Sequence, residues 1–467
     1  MALNPDRLFP ADPDTRGIAR RLYGEVAGLP IVSPHGHTDP RWYADDAAFP
    51  DPATLLVKPD HYIFRMLYSQ GVSLAELGIP RRDGGPVEAD PRRVWRVFAA
   101  HWHLFRATPT RMWLEQSLAD VFGITERLTV DNADRLYDAI DEQLRTPALR
   151  PRALYERFGI EVIATTDSAL DDLAAHDAIR VSGWAGRVIP TYRPDAVVDP
   201  DAPGFAGNVS RFVRANGGDA VTWPAYLDAH RAKRAFFKSR GATATDHGHP
   251  SARTADLEPE AAAHLFDAVM AGDAGETASE LFRAQMLTEM AAMSVADGLV
   301  MQLHPGSFRN HNPALFEAFG RDMGADIPTP TDYVRGLKPL LDRFGADRRL
   351  TLILFTLDET AYGRELAPLA GHYPALRLGP PWWFFDSPEG MMRFREIATE
   401  TAGFANTVGF NDDTRAFLSI PARHDMARRV DCAFLARLVA EHRLDEDEAR
   451  EVAVDLAYRL AKKAYRL

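Results

Sequence analysis

Two histidines separated by a single residue, His35-Gly36-His37, follow the short apolar run Leu29–Ser33. In extended chain, residues i and i+2 point to the same side, so both imidazoles can face one divalent metal or one anionic group. A second such pair stands in Asp246-His247-Gly248-His249, either as ligands or as structural histidines behind a site. His304 follows another apolar run and precedes Arg309-Asn310-His311-Asn312, which suits a ligand or acid–base histidine with an arginine for an anionic or hydroxylated substrate. In Thr191-Tyr192-Arg193-Pro194-Asp195, the Arg193 guanidinium could clamp a carboxylate through two hydrogen bonds or simply pair with Asp195. Pro380-Pro381-Trp382-Trp383-Phe384-Phe385-Asp386 suits a rigid wall for a sugar ring, although core packing also explains aromatic runs. Asp413 and Arg415 share the i, i+2 relation. That carboxylate could complete a metal site begun by His35 and His37 or act as a general base, while the arginine keeps it ionised and stabilises an anionic intermediate. Asp60-His61-Tyr62 lies apart, as a surface turn or as a segment folded back over the site.

Groups so far apart in sequence need a scaffold that collects them. Eight apolar runs read as strands: Leu29–Ser33, Ile160–Thr165, Arg187–Thr191, Ala242–Thr245, Leu299–Leu303, Leu350–Phe355, Leu376–Gly379 and Asn406–Phe410. Amphipathic stretches such as Trp223–Arg240, Glu276–Ala296, Tyr333–Phe344 and Pro388–Thr401 lie between them. Strands alternating with helices predict an α/β fold with a parallel sheet, and eight units predict a (β/α)8 TIM barrel whose strand ends carry the chemistry. The long interval from Pro34 to Gly159 contains helix-like pieces (Tyr62–Gln70, Pro91–Arg106, Arg111–Phe122, Asp131–Arg145). The expected organisation is a single barrel domain over residues 1–467, a helical insertion subdomain over 40–159 and C-terminal helices over 422–467. The last stretch is rich in paired charges and reads as a solvated face over an apolar stripe.

A chain of 467 residues can bury a large core. Its lone Cys432 cannot form an intramolecular disulfide, the N-terminus lacks a leader-like apolar segment, and no long apolar run occurs, so a cytoplasmic protein is expected. A net charge of -12 without a basic cluster argues against nucleic-acid and membrane partners. None of the six lysines stands at a central strand end, which disfavours a two-metal hydrolase bridged by a carboxylated lysine.

Taken together, the motifs resemble the uronate isomerase (glucuronate isomerase) family of the amidohydrolase superfamily. The matches are His35-Gly36-His37, Asp60-His61-Tyr62, Thr191 to Asp195, Thr245-Asp246-His247-Gly248, Leu303-His304 with Arg309 to Asn312, Trp382 to Asp386, and Asp412 to Ser419, in the family's order. The resemblance implies a distorted (β/α)8 barrel with a large helical insertion after the first strand, and reversible aldose–ketose conversion of hexuronates: D-glucuronate to D-fructuronate or D-galacturonate to D-tagaturonate. It places one divalent metal, most often zinc and of open necessity, on His35, His37 and Asp413. It places His61, Tyr62, Arg193, Asp413 and Arg415 around the substrate; by their own positions in the sequence His304, Arg309, Trp382 and Asp386 are expected as further substrate contacts. In the expected mechanism Asp413 opens the pyranose, the His61/Tyr62 pair moves a proton between C2 and C1 through a cis-enediol, Arg415 stabilises the enediolate, and Arg193 or Arg309 holds the carboxylate. Tyr62 as the base requires a strongly lowered pKa, since a free phenol near about 10 is protonated at neutral pH, and a metal hydroxide or His61 is the rival base. The loops reading HGHTDP, GPPWWFFD and NDDTRAF depart from the common family forms, and all border this site. The competing class is a mononuclear metal-dependent hydrolase or deaminase on the same scaffold, and a third is a non-catalytic sugar-acid binder. Homo-oligomerisation is left open by the sequence.

Overall fold

The computed structural model describes residues 3–272 and 274–467; Met1, Ala2 and Asp273 lie outside the described residues. Among the described residues eleven short strands occur: β1 Ile31–Ser33, β2 Ile160–Ala164, β3 Asp167–Ser168, β4 Val188–Ile189, β5 Tyr192–Arg193, β6 Ala244–His247, β7 Val300–Leu303, β8 Ser307–Phe308, β9 Ile327–Pro328, β10 Leu352–Leu354 and β11 Leu376–Leu378. One parallel ladder runs β1-β2-β4 and another β11-β10-β7-β6-β5-β3, while β8 and β9 form an antiparallel pair. β3 and β5 continue β2 and β4 past Thr165 and Thr191. There Thr165 N donates to Ile189 O (2.9 Å) and Thr191 N to Thr165 O (3.0 Å), so pairing proceeds in chain order through both ladders.

Seven of the eight expected runs overlap a strand. The eighth, Asn406–Phe410, does not form one: Thr407 makes a single parallel bridge to Leu378. Gly409 explains the break, because it turns at φ 76° and lies so close to Leu456 that a Cβ would stand 2.6 Å from that carbonyl oxygen. The fourth run is also shifted, since β6 extends to His247 and holds Asp246 and His247 inside the strand. Pro339 at the start of the helix Lys338–Phe344 breaks the expected Tyr333–Phe344 helix after Gly336.

The segment between β1 and β2 is helical. Asp or Thr caps followed by proline start the helices Pro40–Asp45, Pro52–Leu56, Pro91–Ala100 and Pro109–Phe122, the side-chain oxygen satisfying an otherwise free backbone N–H. Trp95, Phe98, Trp102 and Phe105 from this segment share one apolar cluster with Ile31 of β1 and Ile160 of β2, which seats the helices on the strands.

The C-terminal region divides: from Glu446 onward it keeps a solvated face over buried Ala449, Ala453, Leu456 and Leu460, whereas the preceding helix does not. Along the helix Ile420–Ala440 the charged side chains Arg423, Arg428, Arg429 and Asp431 are buried. Burial is sustained by pairing: Arg395 Nε donates to Asp431 Oδ1 at 2.6 Å, and Arg428 donates to the carbonyls of Ala27, Leu29 and Pro30. Among the described residues no helix is long and apolar enough to cross a membrane.

Candidate active site

A cavity of about 340 Å³ opens where β1, β3, β5, β6 and β7 end, a size suited to a small ligand. His35, His37, His61, Tyr62, Arg193, His304, Arg309, Trp382, Asp413 and Arg415 all line it, so ten of the expected site residues come together. Asp386 does not. It lies beneath the wall, 5% exposed, with its carboxylate held by Arg423, so substrate contact is replaced by a buried ion pair. Strand pleating explains the second histidine pair. Asp246 faces the cavity, so its neighbour His247 points the other way, beside Thr245 Oγ1 at 3.1 Å, and neither His247 nor His249 reaches the cavity.

His35, His304 and Asp413 each offer one ligand atom within 4.8 Å of the others. His37 Nε2 stands 3.0 Å and His35 Nε2 3.4 Å from Asp413 Oδ1. Although buried, Asp413 Oδ1 and His304 Nε2 make no hydrogen bond among the described residues. Imidazole nitrogens and a carboxylate oxygen left bare at one point are the donor set a divalent cation takes, so the residues fit a single metal. His304, which its sequence position left open as a ligand or an acid–base group, therefore joins the cluster that the resemblance confines to His35, His37 and Asp413.

A chain of charge supports this cluster. His304 Nδ1 stands 2.6 Å from Asp246 Oδ1, Asp246 Oδ2 is 3.1 Å from Arg193 Nη1, and Arg193 Nε donates to Asp195 Oδ2 at 2.8 Å. Burial opposes ionisation of Asp246, but His304 and Arg193 outweigh it and hold the carboxyl well below its ordinary value. Asp413 is likewise pulled well below the usual range by His35 and His37 against the cost of burial. Over Gly248 the wall is notched: a Cβ there would stand 2.3 Å from Arg193 Nη2 and 3.3 Å from Arg309 Nη2. Arg309 Nη1 is engaged by Asp326 at 2.9 Å, but neither Nη2 has a partner among the described residues. Two guanidinium donors thus converge on one glycine.

On the opposite wall, Asp60 caps the helix His61–Tyr68 through Tyr62 N at 2.8 Å. The Tyr62 hydroxyl donates to Trp383 O at 3.0 Å, and the His61 ring meets Trp383 edge-on at 5.0 Å. Burial lowers the His61 pKa to about 3 and raises that of Tyr62 well above its ordinary value. The imidazole is therefore neutral and the phenol protonated, contrary to the lowered phenol that a Tyr62 base requires. Asp322, Trp383 and Asp413, all lining the cavity, hold positive φ values of 63°, 52° and 38°. Left-handed backbone at non-glycine residues is strained and gathers at functional sites.

Sequence reasoning left Asp322, Arg321 and Gly324 without a role, although all three line the cavity. Arg415 Nη2 pairs with Asp322 Oδ2 at 3.0 Å. The signal was weak because their loop, between β8 and β9, follows no strand of the parallel sheet. Asp246 could have been found from strand alternation, had β6 been placed two residues later.

The model of the glucuronate isomerase family matches residues 14–465. The chain is 68% identical to the uronate isomerase of Brucella canis over the whole of both chains. It superposes on the glucuronate isomerase of Caulobacter crescentus with a TM-score of 0.98 at 61% identity, covering 100% of this chain and 97% of that one. On the uronate isomerase of Thermotoga maritima the TM-score is 0.92 at 26% identity, with full coverage of both. With its cavity built from the motifs described above and this likeness running end to end, the chain belongs to the glucuronate isomerase family.

Proposed function

We propose that this protein interconverts an aldohexuronate and a ketohexuronate, D-glucuronate with D-fructuronate and D-galacturonate with D-tagaturonate. The observation that carries this reading is the pair of free guanidinium Nη2 groups of Arg193 and Arg309 over Gly248, in the same cavity as the His35/His304/Asp413 cluster. The first is a seat for a sugar carboxylate and the second a polar centre for the carbonyl end. A hydrolase or deaminase on this scaffold has no comparable need for a carboxylate seat.

Asp413, held ionised, accepts the proton of the anomeric O1 hydroxyl and returns it to O5 as the C1–O5 bond breaks, leaving the C1 aldehyde. Within the His61/Tyr62 pair, neutral His61 accepts the C2 proton and returns it to C1, while protonated Tyr62 gives its hydroxyl proton to O1 and recovers one from O2. One proton leaves C2 and returns to C1 while the O2 hydroxyl proton passes to O1, so the C1 carbonyl becomes a hydroxyl and the C2 hydroxyl a carbonyl. Arg415 faces the enediolate, and Trp382 forms a wall beside His304, its ring 4.8 Å away. A divalent metal, which we take to be zinc, would be held by His35, His37, His304 and Asp413 and would supply Lewis acidity toward the substrate oxygens.

We read the parallel sheet as a distorted (β/α)8 barrel closed by residues 407–414, supported by the chain-order pairing, the Leu378–Thr407 bridge and the hydrogen bond from His37 N to Thr414 O at 3.0 Å. Residues 40–159 form its helical insertion and 422–467 its C-terminal helices. The buried single cysteine suits a reducing cytoplasm.

The test is incubation with D-glucuronate and with D-galacturonate, with and without chelator, in deuterated water. A ketose of unchanged skeleton should form, with deuterium exchanged at the transferred position. Ammonia, cleavage products or no product from either sugar would overturn the reading.

A further inference from the structure

We propose that Arg423 and His424, consecutive residues at the start of the helix Ile420–Ala440, are positioning residues that lock the backbone of Asp413 and thereby aim its carboxylate. This rests on the functional reading above only for the reaction through which it is assayed.

Both side chains are buried beneath the cavity floor and neither lines it. Arg423 gathers three segments that build the site. Its Nη1 donates to the Asp386 carboxylate, fixing the loop after β11, and to the Asp412 carbonyl at 3.4 Å. Its Nε donates to Ser419 Oγ at 3.0 Å, and its guanidinium lies over the Trp113 ring (3.6 Å) and near the Tyr62 ring (5.4 Å). His424 Nε2 stands 3.0 Å from Asp412 Oδ2. Asp412 is thus held at its carbonyl and at its carboxylate by two neighbours on one rigid helix.

The consequence falls on the next residue. The Asp412 carbonyl belongs to the peptide plane that leads into Asp413, so fixing that plane and the Asp412 side chain constrains the φ of Asp413. That angle is 38°, a strained conformation that persists only where its surroundings over-determine it. Gly36, between His35 and His37, completes the nest: a Cβ there would stand 3.5 Å from Asp412 Oδ1 and 3.7 Å from the Thr414 carbonyl oxygen. The two imidazole-bearing residues of β1's end and the carboxylate of Asp413 are therefore placed relative to one another through Asp412. Groups that orient ligating side chains in this way are worth about 10- to 100-fold in metal affinity or activity.

The experiment compares His424→Leu, His424→Gln and the double variant Arg423→Met/Asp386→Leu with the wild type. Three readouts are taken: kcat and KM for D-glucuronate, zinc affinity by chelator competition, and thermal unfolding with circular dichroism. The glutamine amide can reach Asp412 much as the imidazole does, whereas leucine cannot. His424→Leu should lower kcat and zinc affinity by about tenfold or more with KM little changed, and His424→Gln should restore both to within about threefold. The double variant removes both charges of the Arg423–Asp386 pair together, so neither is left buried without the other, and it should retain its fold while losing kcat and zinc affinity. Kinetics and zinc affinity unchanged in both His424→Leu and the double variant would overturn the proposal, as would equal losses in His424→Leu and His424→Gln. If the wild type forms no ketose, the functional reading fails, and zinc affinity alone then decides the locking role.

Discussion

Gly248 occupies the place where two arginines need empty space. An alanine Cβ would press on Arg193 Nη2 at 2.3 Å and on Asp195 Oδ2 at 2.9 Å, and would fill the seat assigned to the substrate carboxylate. Gly248→Ala should therefore lower kcat/KM by about a hundredfold, the scale on which small misplacements act, and steady-state kinetics would show it. Tyr62 gives a second expectation. Burial raises its pKa well above the ordinary phenol value, so it stays protonated through the neutral range and acts as a donor. Tyr62→Phe should reduce kcat by about 10²-fold or more while leaving the positions of the limbs in the pH–rate profile unchanged. A limb that disappears with the hydroxyl would instead identify the phenolate as the base.

The elements that place these residues depend on a few polar contacts. Asp60 begins the helix His61–Tyr68 by accepting from Tyr62 N, so one carboxylate both caps a helix and orients the phenol. Asp60→Ala should cost about 1 kcal/mol of stability as a lost cap, and more in activity than in stability because Tyr62 moves with the first turn. Denaturant unfolding and kinetics on one preparation would separate the two. The helices Pro388–Ala402 and Ile420–Ala440 are joined by the buried pair Arg395 and Asp431. Arg395→Met leaves the Asp431 carboxylate buried without its partner and should destabilise by about 3–5 kcal/mol, whereas Arg395→Met with Asp431→Leu should recover most of that loss. Urea midpoints would show the difference. Of the four insertion helices opened by Asp-Pro or Thr-Pro, the expected pieces Pro91–Arg106 and Arg111–Phe122 overlap two, whereas the short Pro40–Asp45 and Pro52–Leu56 have no counterpart among them. The eighth strand was misread because an apolar run around Gly409 looks like a strand until the packing of Leu456 against it is known.

Across the whole molecule, charge is distributed differently from what the total suggests. The chain carries -12, yet the cavity wall brings Arg193, Arg309, Arg321 and Arg415 to one place, interleaved with Asp195, Asp246, Asp322 and Asp413. Buried carboxyls also couple stability to pH. Burial raises Asp167 to about 7, so between its unfolded value of 3.8 and about 7 the folded chain binds the extra proton. Stability should then fall as pH rises through that window, and Asp167→Asn should flatten the slope, as unfolding midpoints between pH 4 and pH 7 would show. What the sequence by itself determined was most of the order of strands and helices, the family resemblance and the identity of ten cavity residues, because apolar runs and closely spaced motifs are local properties. Only the tertiary structure decided that His304 joins His35 and Asp413, that Asp386 faces Arg423 rather than the cavity, and that the charged helix Ile420–Ala440 is buried. Those outcomes depend on which distant groups satisfy one another's charge once water is excluded, and a linear pattern of residue types does not contain that pairing.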